Sequence, residues 1–325
     1  MQSSLVEWLL DSDPTLRWQV ERDLLHEPVS QWMKRKSEMI EHGYARRLLD
    51  LQDPDGQWAG GSYFPKDFDF KGPEGAPGAG QPWTATTWSL NALREWGVDA
   101  SVLGDTASRL ALYSKWDYDG SSYWSGEVDC CINGYTLANG AWLGADVKGL
   151  VEWFLEHQLQ DGGWNCDWIE GSTRSSVNST LNSLHGILYY ESVHSGSPEL
   201  TAARKRGEEY LLSRRLMYRE STGELIAPWI TTLTYPFRWR YSILNALDYF
   251  RISSLHDGAS PDSRLEGAVS ALQNMQQSDG TWIQQTKLQG RTWFEVDAEV
   301  GQPSKWLTFH AKRTIAWWNE KVERS

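Results

Sequence analysis

The chain has 325 residues and sets 31 Lys+Arg against 43 Asp+Glu, a formal net charge of −12. That balance argues against nucleic acid as a partner and against adhesion to anionic membranes by charge alone, and 40% hydrophobic with 23% charged residues is globular composition. A mean hydropathy of −0.55, with no apolar run near the ~20 residues that span a bilayer, argues against a transmembrane helix.

Taken in chain order, the first elements are the helical segments WLLDSD and DPTLRWQVERDLL. The stretch from Met1 to Asp13 carries acids and no basic n-region, so a cytoplasmic protein is expected. ARRLLDLQ is a third helical segment and runs into Gln52-Asp-Pro-Asp-Gly56-Gln-Trp58. The longest irregular segment follows, 60–82, with four Pro and six Gly around Phe68-Asp69-Phe70. A loop of this length in a compact domain is functional or disordered, and its position between two helices suits a lid.

WTATTWSLNAL, from Trp83, is the first of five helices rich in Ser, Thr, Asn, Ala and Gly. The others are INGYTLANGAWL from Ile132, STLNSLHGILYY from Ser179, WRYSILNALDYF from Trp239 and WLTFHAKRTIAWW from Trp306. Between them lie helices with a charged face, such as ELTAARKRGEEYLLSRR and LEGAVSALQNMQ. A helix with little charge round its circumference is buried on most sides, and one with a charged stripe faces water. Their alternation predicts an inner and an outer layer of about a dozen helices. No segment alternates with period two, so no sheet is expected.

The turns repeat. Gln52 to Trp58, Gln158 to Trp164 and Gln276 to Trp282 all read Q-x-x-x-G-x-W with Asp before the Gly, and the glutamines are 158 − 52 = 106 and 276 − 158 = 118 residues apart. Degenerate copies stand at Asp119-Gly120 with Trp124 and at Thr222-Gly223 with Trp229. The unit is thus roughly 50–60 residues, a helical hairpin with its loops. Composition points the same way: 20 Trp, 13 Tyr and 8 Phe exceed what a core needs, so the rings staple the repeats or line a cavity.

These turns resemble the QW motifs of the squalene–hopene and oxidosqualene cyclases, and the alternation of helices resembles the (α/α)6 toroid those enzymes share with protein prenyltransferase β-subunits. The resemblance covers nearly the whole chain and implies an all-α single toroid over residues 1–325, half the length of a two-domain triterpene cyclase. It implies an enzyme handling an apolar isoprenoid-type substrate in an aromatic cavity, with Trp83, Trp88, Tyr135, Asn178, Trp239, Tyr241 and Trp306 at the substrate. Aromatic faces stabilise carbocations there.

The stretch Glu127-Val-Asp129-Cys130-Cys131-Ile-Asn133-Gly, just before an inner helix, matches two motifs of that superfamily. Asp129-Cys130 resembles the start of the Asp-Cys-Thr-Ala-Glu motif of oxidosqualene cyclases, which makes Asp129 an acid. Asp129-Cys130-Cys131 also resembles the Asp-x-Cys zinc motif of the prenyltransferases. The ligand His of that motif has no counterpart at Asn178, and His185 and His310 lie deeper in their helices. Cys166, the third cysteine, follows the second QW turn, so Asp129, Cys131 and Cys166 form a candidate zinc site with an open fourth position. The alternative is that the thiols are packed and Asp129 caps the helix.

Arg238 and Arg240 flank Trp239 and suit a diphosphate or carboxylate, or a solvated rim. His310 is a candidate general base or a core histidine. No Walker A, G-x-G-x-x-G, H-E-x-x-H or G-x-S-x-G segment occurs, so no nucleotide cofactor is expected. No obligate protein partner is evident either. The competing classes are a zinc enzyme with another substrate and a non-catalytic binding toroid.

Overall fold

Each Q-x-x-x-G-x-W segment is built in the same way in a computed structural model describing residues 3–322. The glutamine amide closes the turn by donating to the glycine carbonyl four residues on: Gln52 to Gly56 at 3.1 Å, Gln158 to Gly162 at 2.6 Å and Gln276 to Gly280 at 3.0 Å. Those glycines sit at φ +88°, +97° and +89°, a left-handed conformation that a side chain would strain. The tryptophan backbone N–H then donates to a threonine hydroxyl of the next low-charge helix: Trp58 to Thr86 at 3.0 Å, Trp164 to Thr180 at 3.1 Å and Trp282 to Thr308 at 2.9 Å. All three indoles are fully buried. The motif therefore fastens a turn to the helix that follows it.

Thirteen α-helices occur among the described residues, and the chain divides into two compact units. One unit comprises Leu51–Leu212 with Gln289–Trp293. Its low-charge helices, Thr86–Glu95, Cys130–Leu143 and Val177–His194, bury most of their residues. Thr106–Tyr113 buries only Thr106 and Leu110, and Lys148–Glu156 only Leu150 and Phe154. Cys130–Leu143 and Val177–His194 meet at two glycines. A Cβ added to Gly186 would lie 2.4 Å from the carbonyl oxygen of Gly134, so the two backbones touch there. In Pro198–Leu212 the buried Arg204 pairs with Glu191 of the preceding helix and, at 2.7 Å, with Glu208 of its own.

The other unit comprises the residues up to Asp50, Ser213–Leu288 and the chain from Phe294. It holds Ser3–Leu10, Pro14–Asp23, Val29–Glu38, Gly43–Leu49, Ile243–Asp257, Glu266–Asn274 and Lys305–Val322. The expectation of no strand fails here in a small way. Trp282–Ile283 pairs antiparallel with Pro303–Ser304, because the third turn leaves its tryptophan extended beside the entry to the last helix.

The expected helix from Trp239 begins later, at Ile243, where the Ser242 side chain accepts from the Asn245 N–H. The helix expected from Ile132 begins earlier, at Cys130. Residues 60–82 are irregular apart from the 3-10 turn Pro73–Gly75. Phe64, Phe68 and Phe70 pack on one another with centroids 4.8–4.9 Å apart, and Arg291 pairs with Asp67 and Glu74. Among the described residues no helix is long and apolar enough to cross a membrane.

Candidate metal centre

The entry to the Cys130–Leu143 helix is clamped by Asn133. Its Oδ1 accepts from the Glu127 N–H at 2.7 Å and its Nδ2 donates to the Glu127 carbonyl at 2.6 Å. Asp129 occupies the N-cap position but makes no side-chain cap hydrogen bond, so the capping alternative does not describe it. Its own N–H donates to the Glu127 carboxylate at 2.7 Å. Cys130 and Cys131 are the first two residues of the helix.

Cys166 is delivered by the second QW turn. Asn165 caps the short 3-10 helix Cys166–Glu170, the Cys166 N–H donates to Ser179 Oγ at 3.2 Å, and the Trp168 indole N–H donates to the Val128 carbonyl at 2.8 Å. These bonds hold the segment after the turn against both helix entries.

Three sulfurs meet as a result. Cys166 Sγ lies 3.3 Å from Cys131 Sγ and 3.5 Å from Cys130 Sγ, and the three ligand atoms lie within 4.8 Å of one another. Three sulfurs around one zinc at ~2.3 Å would stand about 3.8 Å apart in tetrahedral geometry, within about 0.5 Å of the two spacings that Cys166 makes. The all-sulfur donor set suits a soft or borderline metal. Further donors surround it: Ser179 Oγ and Asn182 Nδ2 each donate at 3.5 Å, to Cys166 and Cys131 respectively. Such contacts orient ligands and spread thiolate charge. The group can hold a metal ion.

Electrostatics set the three thiols apart. The hydrogen bonds Cys166 shares with Cys130 and Cys131 hold its thiol well below its ordinary value. Burial pushes Cys130 up, and the hydrogen bond to Cys166 with burial pushes Cys131 up. Asp129 is raised to about 7, first by burial and then by the charges of Cys166 and Glu127.

Of the expected trio Asp129, Cys131 and Cys166, the two cysteines meet and Asp129 is not a member of the group, which differs from the expectation in two further ways. Cys130 is a third sulfur of the group, which holds no histidine and no carboxylate. Asn182, one turn beyond Asn178, reaches Cys131; its Oδ1 also accepts from the Tyr135 hydroxyl at 3.1 Å, and its Nδ2 donates to the Asn178 carbonyl at 2.9 Å. The signal for it was the four-residue helical period from Asn178.

An aromatic wall stands beside the sulfurs. Trp88 packs against Trp83, Tyr63 and Tyr135 with centroids at 4.7, 4.9 and 5.5 Å. Burial raises the Tyr63 and Tyr135 hydroxyls well above their ordinary value, and Cys131 and Cys166 add to both shifts. The indole N–H of Trp88 is buried without a hydrogen-bond partner. Tyr63 belongs to the 60–82 segment, so the base of the expected lid lies at this wall.

The remaining candidates belong to the other unit. His310 is buried among Tyr235, Phe237, Trp306 and Phe309, and its Nδ1 accepts from Arg313 at 2.9 Å. Burial and Arg313 lower it to about 4. Asp248 accepts from Arg251 at 2.8 Å and Arg313 at 2.6 Å, and this ion network occupies the histidine. Tyr241 is buried and donates to the Leu216 carbonyl at 2.8 Å, and Trp306 stacks on Tyr235 at 4.7 Å. Arg240 is half-buried and Trp239 is exposed.

No protein-family model matches the chain, and no curated protein matches it. Among solved structures it is similar to a protein from Actinoplanes, at 13% identity over 99% of both chains with a TM-score of 0.45. That likeness is too low to carry an argument about fold or activity.

Proposed function

We propose that the protein is a cytoplasmic (α/α)6 toroid of the terpenoid-cyclase and prenyltransferase class, an enzyme that holds one zinc ion on Cys130, Cys131 and Cys166 and seats an apolar isoprenoid-type chain against Trp88. The observation that carries the reading is the meeting of three sulfurs within 4.8 Å beside a wall of buried rings. The three identically built QW turns support the toroid.

Zinc bound there would supply a Lewis acid and hold its sulfur ligands deprotonated. The chain's own residues do the rest. Tyr63, Trp83, Trp88 and Tyr135 exclude water and offer ring faces to developing positive charge. Asp129, at the entry to the helix that bears Cys130 and Cys131, is the candidate acid. Ser179 and Asn182 fix the sulfurs.

Elemental analysis of purified protein should give one zinc per chain, and Cys130→Ser, Cys131→Ser and Cys166→Ser should each lower it. Asp129→Asn should keep the metal and lose turnover of a prenyl diphosphate or polyprene. Wild-type protein free of metal after growth in zinc, or without turnover on either substrate class, would overturn the corresponding half of the reading.

A further inference from the structure

The three sulfurs have a second chemistry open to them. Cys166 is the member shared by both short approaches, 3.3 Å to Cys131 and 3.5 Å to Cys130. It stands on a different segment from its neighbours, since Cys130 and Cys131 open one helix and Cys166 opens the 3-10 helix after the QW turn. Cys131 and Cys166 are half-buried, whereas Cys130 is fully buried. A disulfide needs its sulfurs at about 2.05 Å, so closing the Cys131–Cys166 gap takes little more than 1 Å of side-chain movement.

From this juxtaposition we infer that Cys131 and Cys166 form a peroxide-sensitive dithiol, oxidised to a disulfide that removes two of the three sulfur donors from the metal group. Atoms and electrons balance with one peroxide. Its O–O bond breaks as one thiol becomes a sulfenic acid and water leaves. Attack by the other sulfur forms the S–S bond and releases a second water. Two thiols and one hydrogen peroxide become one disulfide and two waters. A thiol reductant reverses the step by exchange.

Cys131 is the resolving partner in the intact protein because it is nearer and less buried than Cys130. With Cys131 removed, Cys130 takes its place at 3.5 Å. Loss of two donors leaves one sulfur, too few to hold the ion. This last consequence rests on the zinc reading above; the crosslink itself does not.

The test treats full-length protein with one equivalent of hydrogen peroxide, after chelator treatment and again after zinc loading. The expected product is an intramolecular crosslink, 2 Da lighter than the dithiol, that maps to Cys131–Cys166 in non-reducing digests and disappears with dithiothreitol. Cys130→Ser retains it, Cys131→Ser moves it to Cys130–Cys166, and Cys166→Ser abolishes it. Zinc-loaded protein releases its ion as the crosslink forms. Peroxide-treated wild type lacking a Cys166 crosslink, or giving only intermolecular dimers or sulfonic acids, overturns the inference without any variant needing to fold. A crosslink in protein that never binds zinc overturns the metal reading and leaves the dithiol standing. Zinc binding without a crosslink does the reverse.

Discussion

The threonine that receives each motif tryptophan offers a direct test of how the repeat is held. Replacing it by valine keeps the volume and removes the hydroxyl, so the loss falls on groups left unpaired. In Thr308→Val the buried Trp282 N–H loses its acceptor at 2.9 Å. An orphaned buried donor costs about 1–3 kcal/mol. Thr180→Val strips the Trp164 N–H at 3.1 Å and a weaker bond at 3.3 Å to the Trp164 carbonyl. Thr86→Val strips the Trp58 N–H at 3.0 Å together with a 2.6 Å bond to the Gly61 carbonyl. The Gly61 and Trp164 carbonyls keep backbone donors, the Thr86 N–H at 3.0 Å and the Ser176 N–H at 2.9 Å, so each variant orphans one buried N–H and falls in that range, with Thr86→Val, which also loses the shorter second bond, the most destabilised. Even ~1.4 kcal/mol is tenfold in the unfolding equilibrium and is resolved by urea titration followed by tryptophan fluorescence, provided the slope of the transition is unchanged. If all three variants unfold within about 0.5 kcal/mol of wild type, or Thr308→Val is the worst, the hydroxyls do not hold the repeat.

Three further outcomes follow from buried charge and from the sulfurs. Arg204→Met leaves the buried Glu191 with the Thr201 hydroxyl at 2.6 Å and no arginine, while Glu208 keeps Lys205 at 2.8 Å, and should cost about 3 kcal/mol; a loss below 1 kcal/mol by thermal or urea unfolding contradicts that. His310 is lowered to about 4 from an ordinary 6.5, so between those values the unfolded chain binds the extra proton and stability must rise with pH across this window. The full effect is about 3 kcal/mol, and His310→Gln should flatten that part of the stability–pH profile, read by urea midpoints from pH 4 to 7. At the centre, Asn182→Leu removes the donor to Cys131 and should weaken metal affinity by about 10-fold, as loss of outer contacts to ligands does; competition with a chromogenic chelator reads it, and unchanged affinity refutes a role for Asn182.

Much of the helical plan was legible because it is written in composition and period. Charge removed from a whole circumference can only mean burial, and the Thr86–Glu95 and Val177–His194 helices bury nearly every residue of their first turns accordingly. The Q-x-x-x-G-x-W turns were legible for a different reason: each of their fixed positions has a bond or a conformation that no other residue type supplies as well. Ends were harder. The chain before Ile243 carries apolar and aromatic residues that look like a helix, yet Ser242 supplies the cap, and Phe237–Arg240 stays irregular with Arg238 at φ +50°. The two short strands have no period to detect, since two residues are too few to alternate.

The site was half legible, and the missing half has a geometric cause. Counting along the chain gave Asp129 and Cys131 a shared face by assuming an extended entry to the helix. The helix in fact starts at Cys130, which turns successive residues by about 100° and brings both cysteines into its first turn. What lets Cys130 and Cys131 approach one point is that the point lies off the helix end, where Cys166 arrives from the next turn. Sequence separation hides that arrival, because it depends on the Trp164–Thr180 bond and on Trp168 reaching Val128. The repeat and the site are thus coupled: the same motif that staples the helices carries the third sulfur to the other two. Loosening the second turn should therefore disturb metal binding as well as stability. Thr180→Val is expected to lower metal affinity while Thr86→Val, at a turn that bears no sulfur, leaves it within about twofold. Equal losses of affinity in the two variants, measured by chelator competition on folded protein, would show that the sulfurs are held independently of the turn.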